Sequence, residues 1–157
     1  MVINLKYVFL SVLVCLLVGF VTVITIQSTL EVGYNLLSRP SFELSGNLFL
    51  GIWLVIFSVL GVAIGLVCNR GLHHVWVKTA FYHFGFILLL NTAWAITFFG
   101  LNQLFLSLLI ISALLILIFF TIKWFKIASN LATYLLIPYI AWVVYMWVLN
   151  FEIWRLN

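Results

Sequence analysis

Charge is scarce in this chain. Only 6% of the 157 residues are Asp, Glu, Lys or Arg, where a soluble domain carries about 25%. Three acids and seven bases cannot coat a water-soluble globule of this length. The shortage excludes a soluble enzyme, a nucleic-acid-binding module and a disordered tail, so the formal net charge of +4 is not a nucleic-acid signal. Proline is limited to two residues and cysteine to Cys15 and Cys68. Both cysteines fall in apolar runs and read as packing residues, not as a disulfide. Histidine is limited to His73, His74 and His83, with no H-x-x-x-H or E-x-x-H spacing. That excludes the usual ways in which a helical bundle holds a metal ion or haem. There is also no Ser–His–Asp set, no phosphate-cradling glycine loop and no carboxylate pair. Neither a metal site nor a cofactor is expected.

Apolar residues are abundant, at 67%, and they come in long runs. A bilayer core is crossed by about 20 apolar residues in a helix. Residues 7–26 and 48–68 are two such runs, and residues 79–122 hold no charge but are too long for one crossing. The turn-like cluster Gly100-Leu101-Asn102-Gln103 divides them into 79–99 and 104–122. A last run, 127–151, carries Pro138, which frees a backbone carbonyl and kinks the helix. Continuous runs of this length exclude a membrane barrel, whose strands alternate over only ~9–11 positions. The chain therefore reads as an all-α integral membrane protein, a single domain over 1–157 built as a bundle of five transmembrane helices. No span contains Asp, Glu, Lys or Arg, which argues against proton-coupled transport.

Basic residues are retained on the cytoplasmic side of membranes. Lys6, Arg70, Lys78, Lys123 and Lys126 fall on one side, in the N-terminus and the second and fourth loops. The other side has Arg39 and Arg155 with all three acids, Glu31, Glu43 and Glu152. This bias places the N-terminus inside and the C-terminus outside, together with the long first loop, residues 27–47. A multi-pass protein of a bacterial cytoplasmic membrane is expected, with the lipid bilayer as its obligatory partner.

Aromatic residues make up 18% of the chain. Trp76, Trp124 and Trp154 lie at span ends beside Lys78, Lys123 and Arg155, which suits an interfacial belt. Trp94 and Trp142 lie well inside their spans. Asn91, Trp94 and Phe98 share one face of the third helix, Tyr139, Trp142 and Met146 one face of the fifth, and Phe49, Trp53 and Phe57 a stripe on the second. An indole or amide in a membrane needs a partner, so these residues face the bundle interior. Two readings fit them: interhelical packing with hydrogen bonds, or the walls of a flat, apolar pocket. Gly61-Val62-Ala63-Ile64-Gly65 is a GxxxG step that permits close helix contact and does not by itself show dimerisation.

Three stretches carry a resemblance that covers most of the chain from Tyr34 onward. The first comprises Tyr34, Leu37, Arg39-Pro40, Phe42, Phe49, Ile52-Trp53, Phe57 and Gly61. The second is Leu90-Asn91-Thr92-Ala93-Trp94 with Phe98-Phe99-Gly100, and the third Pro138-Tyr139-Ile140-Ala141-Trp142 with Leu149-Asn150 and Trp154. In residues and spacing the chain resembles the tryptophan-rich sensory protein or translocator protein family, TspO/MBR. It departs from the family pattern at Gly33 (usually Trp), Leu44-Ser45 and Ala95-Ile96 (usually Pro-Pro), Ile87 (usually Gln) and Met146 (usually small). Phe151 stands where the sterol-recognition pattern of animal members has Tyr.

The resemblance implies a five-helix bundle, often a homodimer, with an interhelical pocket capped by the first loop. It implies porphyrins such as protoporphyrin IX, or other hydrophobic small molecules, as ligands. The ligand-binding positions implied are Tyr34, Pro40 and Phe42 in the loop and Phe49, Trp53 and Phe57 on the second helix. Asn91, Trp94 and Phe98 on the third helix and Tyr139, Trp142, Met146 and Asn150 on the fifth complete the set. Trp53 and Trp142 match tryptophans implicated in the light-dependent porphyrin degradation described for several bacterial members, and would be the catalytic pair. Arg39 would pair a ligand carboxylate at the membrane edge or, on the plainer reading, simply pair with Glu43. A receptor or sensor leads, ahead of a transporter of tetrapyrroles or lipophilic molecules and of a scaffold that regulates a partner.

Overall fold

The computed structural model describes residues 4–30 and 33–157, with side chains described for 4–25 and 33–157. Five of its helical segments are long and apolar enough to cross a membrane. Helix α1 is Leu5–Leu30, α2 is Gly46–Cys68 and α3 is Val75–Ala95, which runs on into a π-helical turn, Ile96–Gly100. Helix α4 is Leu104–Ala128, and the fifth span is made of two pieces, α5 at Asn130–Tyr134 and α6 at Leu136–Leu156. The described residues form helices and turns with no strand, so the chain is an all-α, multi-pass integral membrane protein.

Most boundaries move outward from the expected ones, because helices continue past the apolar core into the interface. The fifth span instead begins at Asn130, three residues after the expected 127, because α4 runs on to Ala128. Trp76 and Lys78 belong to the first turn of α3, and Lys123, Trp124 and Lys126 to the last turns of α4. Long basic side chains there can extend their charge to water while the backbone stays helical. Helix α1 reaches Leu30, so the first loop is shorter than residues 27–47, and Glu31 lies outside the described residues. The fifth span breaks at Leu135, one turn before Pro138. Proline has no N–H to give the carbonyl four residues earlier. Pro138 therefore sits in the first turn of α6, where that donor is spare.

Around the bundle the neighbours run α1, α2, α5–α6, α4, α3 and back to α1. At one end the Asn4 N–H donates to Asn69 Oδ1 at 2.7 Å, and Arg70 Nε donates to the Ala128 carbonyl at 2.6 Å. These bonds gather the N-terminus, the α2–α3 turn and the α4–α5 turn, and with them the five basic residues of the excess.

The tightest helix contact is α1 on α2, and the GxxxG step makes it. Gly61 and Gly65 face Val12 and Val8, which also stand four apart. A Cβ on Gly65 would lie 2.6 Å from Val8 Cα, and one on Gly61 would collide with Val12 Cα. The motif is therefore consumed inside the chain. We expect Gly65→Val to cost about 1–3 kcal/mol by overpacking and to lower the thermal midpoint in detergent. Gly51→Val, at a site with nothing within 4 Å, should leave that midpoint unchanged.

Candidate functional site

The site begins with the first loop, which lies across the end of the bundle opposite the basic cluster. A short 3₁₀ turn, Tyr34–Leu36, follows Gly33, and a tight turn closes with the Glu43 N–H donating to the Pro40 carbonyl at 3.2 Å. That turn brings Arg39 and Glu43 together, Nη1 to carboxylate oxygen at 3.3 Å. The Tyr34 hydroxyl donates to the other Glu43 oxygen at 2.5 Å, and the Arg39 guanidinium stands 5.8 Å from the Tyr34 ring centroid. Burial, reinforced by the bond to Glu43, pushes the Tyr34 phenol well above its usual range, so it stays a protonated donor.

Two further residues tie this loop down. The Tyr145 hydroxyl on α6 donates to the Phe42 carbonyl at 3.3 Å and accepts the Leu44 N–H at 3.2 Å. The Asn157 side chain accepts the Ser38 N–H at 2.9 Å and donates to the Ser38 carbonyl at 3.0 Å.

Beneath the loop is a cavity of about 1090 Å³, just above the ~300–1,000 Å³ usual for small-molecule pockets. Its polar rim is Asn35, Arg39, Glu43 and Ser45 from the loop, and its apolar walls are Val23 on α1, Phe49, Leu50 and Trp53 on α2, Phe99, and Leu149 on α6. Tyr34 and Tyr145 close the sides. The rings form a continuous file. Phe57 stacks on Trp53 at 5.1 Å, Trp53 on Phe49 at 5.6 Å, Phe49 meets Trp142 at 5.4 Å, and Trp142 stacks on Tyr145 at 5.6 Å. The Trp53 Nε1 is buried with no hydrogen-bond partner among the described residues and faces Gly19, where an added Cβ would lie 3.2 Å away.

The π-helical turn supplies Phe99. Widening the last turn of the third span lets consecutive rings both turn inward. Phe98 stacks on Trp94 at 5.3 Å, while Phe99 packs edge-on to Tyr34 at 4.9 Å and to Phe49 at 5.8 Å.

The expected site residues thus separate into layers. Tyr34, Phe49 and Trp53 line the cavity. Pro40 and Phe42 belong to the cap, with the Phe42 ring edge-on to Tyr145 at 6.4 Å. Phe57 and Trp142 stand one ring behind the wall. Asn91, Trp94, Phe98, Tyr139, Met146 and Asn150 lie buried in the bundle interior away from the cavity lining. Asn91 Nδ2 donates to the Tyr139 hydroxyl at 3.1 Å, and Trp94 Nε1 to Asn150 Oδ1 at 3.0 Å. Asn150 Nδ2 donates in turn to the Leu104 carbonyl at 3.0 Å. Among residues not anticipated, Tyr145 lies three positions from Trp142, a spacing that could have drawn it in. No sequence signal announces the π turn that aims Phe99.

Replacing Asn150 by Leu strands the Trp94 indole N–H in an apolar interior. The expected loss is about 1–3 kcal/mol, read from unfolding in mixed micelles. Ser112→Ala removes the single bond from Trp147 Nε1 at 2.9 Å and should cost about 0.6 kcal/mol, the average for interhelical bonds in membranes. Tyr145→Phe frees the loop at two backbone groups and should speed hydrogen exchange at 42–44 with little change elsewhere.

A model of the TspO/MBR family matches residues 11–155. The chain is 33% identical over 143 residues to the tryptophan-rich protein TspO of Chlorobaculum tepidum, covering 91% of this chain and 90% of that one. It is 30% identical to the protein of the same name from Archaeoglobus fulgidus, covering 94% of each. It is 27% identical to protein CrtK of Rhodobacter capsulatus, covering 79% of this chain and 78% of that one. With its family pattern, its five spans and its capped aromatic cavity, this chain belongs to the TspO/MBR family.

Proposed function

We propose that this protein is a membrane receptor or sensor that binds porphyrins, such as protoporphyrin IX, or similarly flat apolar molecules. We further propose that it degrades the porphyrin oxidatively in light. The observation that carries the reading is the file of rings from Phe57 to Tyr145, of which Trp53, Phe49 and Tyr145 line a cavity of about 1090 Å³. Aromatic walls stack favourably on a planar macrocycle. Arg39 and Glu43 at the rim would meet the polar edge of such a disc. In the light reaction, excited porphyrin takes an electron from the Trp53 indole and passes it to molecular oxygen, giving superoxide. The indole radical cation then takes an electron back from the porphyrin. The porphyrin radical cation combines with superoxide, so that both oxygen atoms enter the macrocycle and Trp53 is restored. Trp142, reached through Phe49, is the next donor in the file. The same reading sets the chain as a homodimer in a bacterial cytoplasmic membrane, with the basic end inside and the capped cavity outside. The excess of lysine and arginine at one end supports that orientation.

The test is a titration of purified protein in detergent with protoporphyrin IX, followed by tryptophan quenching in the dark. Saturable quenching is expected, weakened about tenfold by Trp53→Ala, the ~1.4 kcal/mol of a strong aromatic contact. Under illumination the porphyrin absorption should decay in the native protein and persist in a Trp53→Phe, Trp142→Phe double variant. Binding without decay leaves a receptor that is not an enzyme. Absence of saturable quenching overturns the reading, and net movement of porphyrin across sealed vesicles would replace it with a transporter.

A further inference from the structure

The rim of the cavity holds a cation whose partner is built into the loop. Arg39 and Glu43 both line the cavity, as does Tyr34. Glu43 is the more enclosed of the ion pair, its side chain 18% exposed against 42% for Arg39. It is held from two sides, by the Tyr34 hydroxyl at 2.5 Å and by Arg39 at 3.3 Å. The backbone around it is also fixed, by the Pro40 turn on one side and by Tyr145, bonded to residues 42 and 44, on the other. Arg39, by contrast, projects from the loop with its guanidinium over the Tyr34 ring.

We infer that Glu43 is a specificity residue: a fixed carboxylate at the cavity mouth that disfavours ligands with a free carboxylate and favours the same ligands with a neutral polar end. The inference deepens the proposed binding function and rests on ligands entering this cavity. A ligand carboxylate that reaches for Arg39 meets Glu43 on the same guanidinium. It must either share the cation with a like charge or displace it from Glu43, and Tyr34 cannot neutralise the carboxylate left behind. A neutral ester or amide meets no such repulsion and can accept a hydrogen bond from the exposed edge of Arg39. The discrimination is electrostatic at a partly exposed site, so it is modest and weakens with salt.

The experiment compares acid and ester forms of two flat probes, in neutral detergent, by quenching of the protein's tryptophans. One pair is pyrenebutyric acid and its methyl ester, the other protoporphyrin IX and its dimethyl ester. The native protein should bind each ester more tightly than its acid. Glu43→Gln keeps the size and the Tyr34 bond and should tighten acid binding about fivefold, the range of an exposed ion pair, while changing ester binding less than about twofold. In the native protein, raising salt from roughly 0.05 M to 0.5 M should shrink the ester preference, since screening shortens to a few ångströms. The salt series needs no variant and decides the matter if Glu43→Gln does not fold. An acid-to-ester ratio unchanged by both the variant and salt overturns the inference, as does an equal change in both forms. Glu43-dependent discrimination between the pyrene probes without porphyrin binding would uphold the inference and sink the porphyrin reading. Porphyrin binding with a Glu43-independent ratio would do the reverse. If none of the four probes binds saturably, both fall.

Discussion

The bilayer core contains no water to satisfy a polar group, and this constraint orders the interior of the molecule. A buried amide or indole is costly unless it finds a partner on another helix or in its own backbone. The Trp53 indole at the cavity wall stands out as buried without one among the described residues. Asn150 answers the constraint twice, accepting from Trp94 and donating to the Leu104 carbonyl, so one side chain ties α6 to both α3 and α4. Asn91 and Tyr139 add a second bond between α3 and α6, whose backbones are not neighbours in the ring of helices. The bundle is thus braced across its middle by long side chains, while small residues set the close approach of α1 to α2. In lipid the hydrophobic effect gives helices little reason to associate, and packing and hydrogen bonds must supply it.

That division of labour explains why the cavity lies where it does. The interior from Asn91 to Asn150 is buried and bonded, and the large cavity lies at the end where α1, α2 and α6 meet the first loop. There the helices stop and the loop takes over as a roof. Its polar groups are spent on fastening it, to Tyr145 and Asn157, and on the Tyr34–Glu43–Arg39 group, which is internal to the loop. The result is a cavity with aromatic walls and an ionic rim, the contrast that lets a flat apolar ligand be held by its faces and selected by its edge.

The departures from the family pattern have local physical consequences. Gly33 stands where a tryptophan is usual, and any Cβ there would overlap the amide of Asn102. Asn102 holds a left-handed conformation, φ 51°, just beyond the π turn, so the third loop occupies space that a larger residue at 33 would need. Met146 is buried in the interior and does not line the cavity. Its bulk is absorbed by core packing.

The amino-acid sequence by itself determined the five spans, because 20 apolar residues without charge have one stable state in a bilayer. It also determined which residues must turn inward, since Trp94, Asn91 and Asn150 cannot face lipid unpartnered. The family pattern from Tyr34 to Trp154 was likewise legible, and three of the residues it drew attention to, Tyr34, Phe49 and Trp53, line the cavity. What the sequence could not separate was interior from cavity. Tyr139 and Trp53 are both inward-facing rings on membrane helices, yet one is bonded to Asn91 deep in the bundle and the other lines open space. That distinction depends on the depth at which neighbouring helices converge, on the break at Leu135 and on the π turn at Ile96–Gly100. These are products of long-range packing that no local periodicity encodes, so only the tertiary structure decided them.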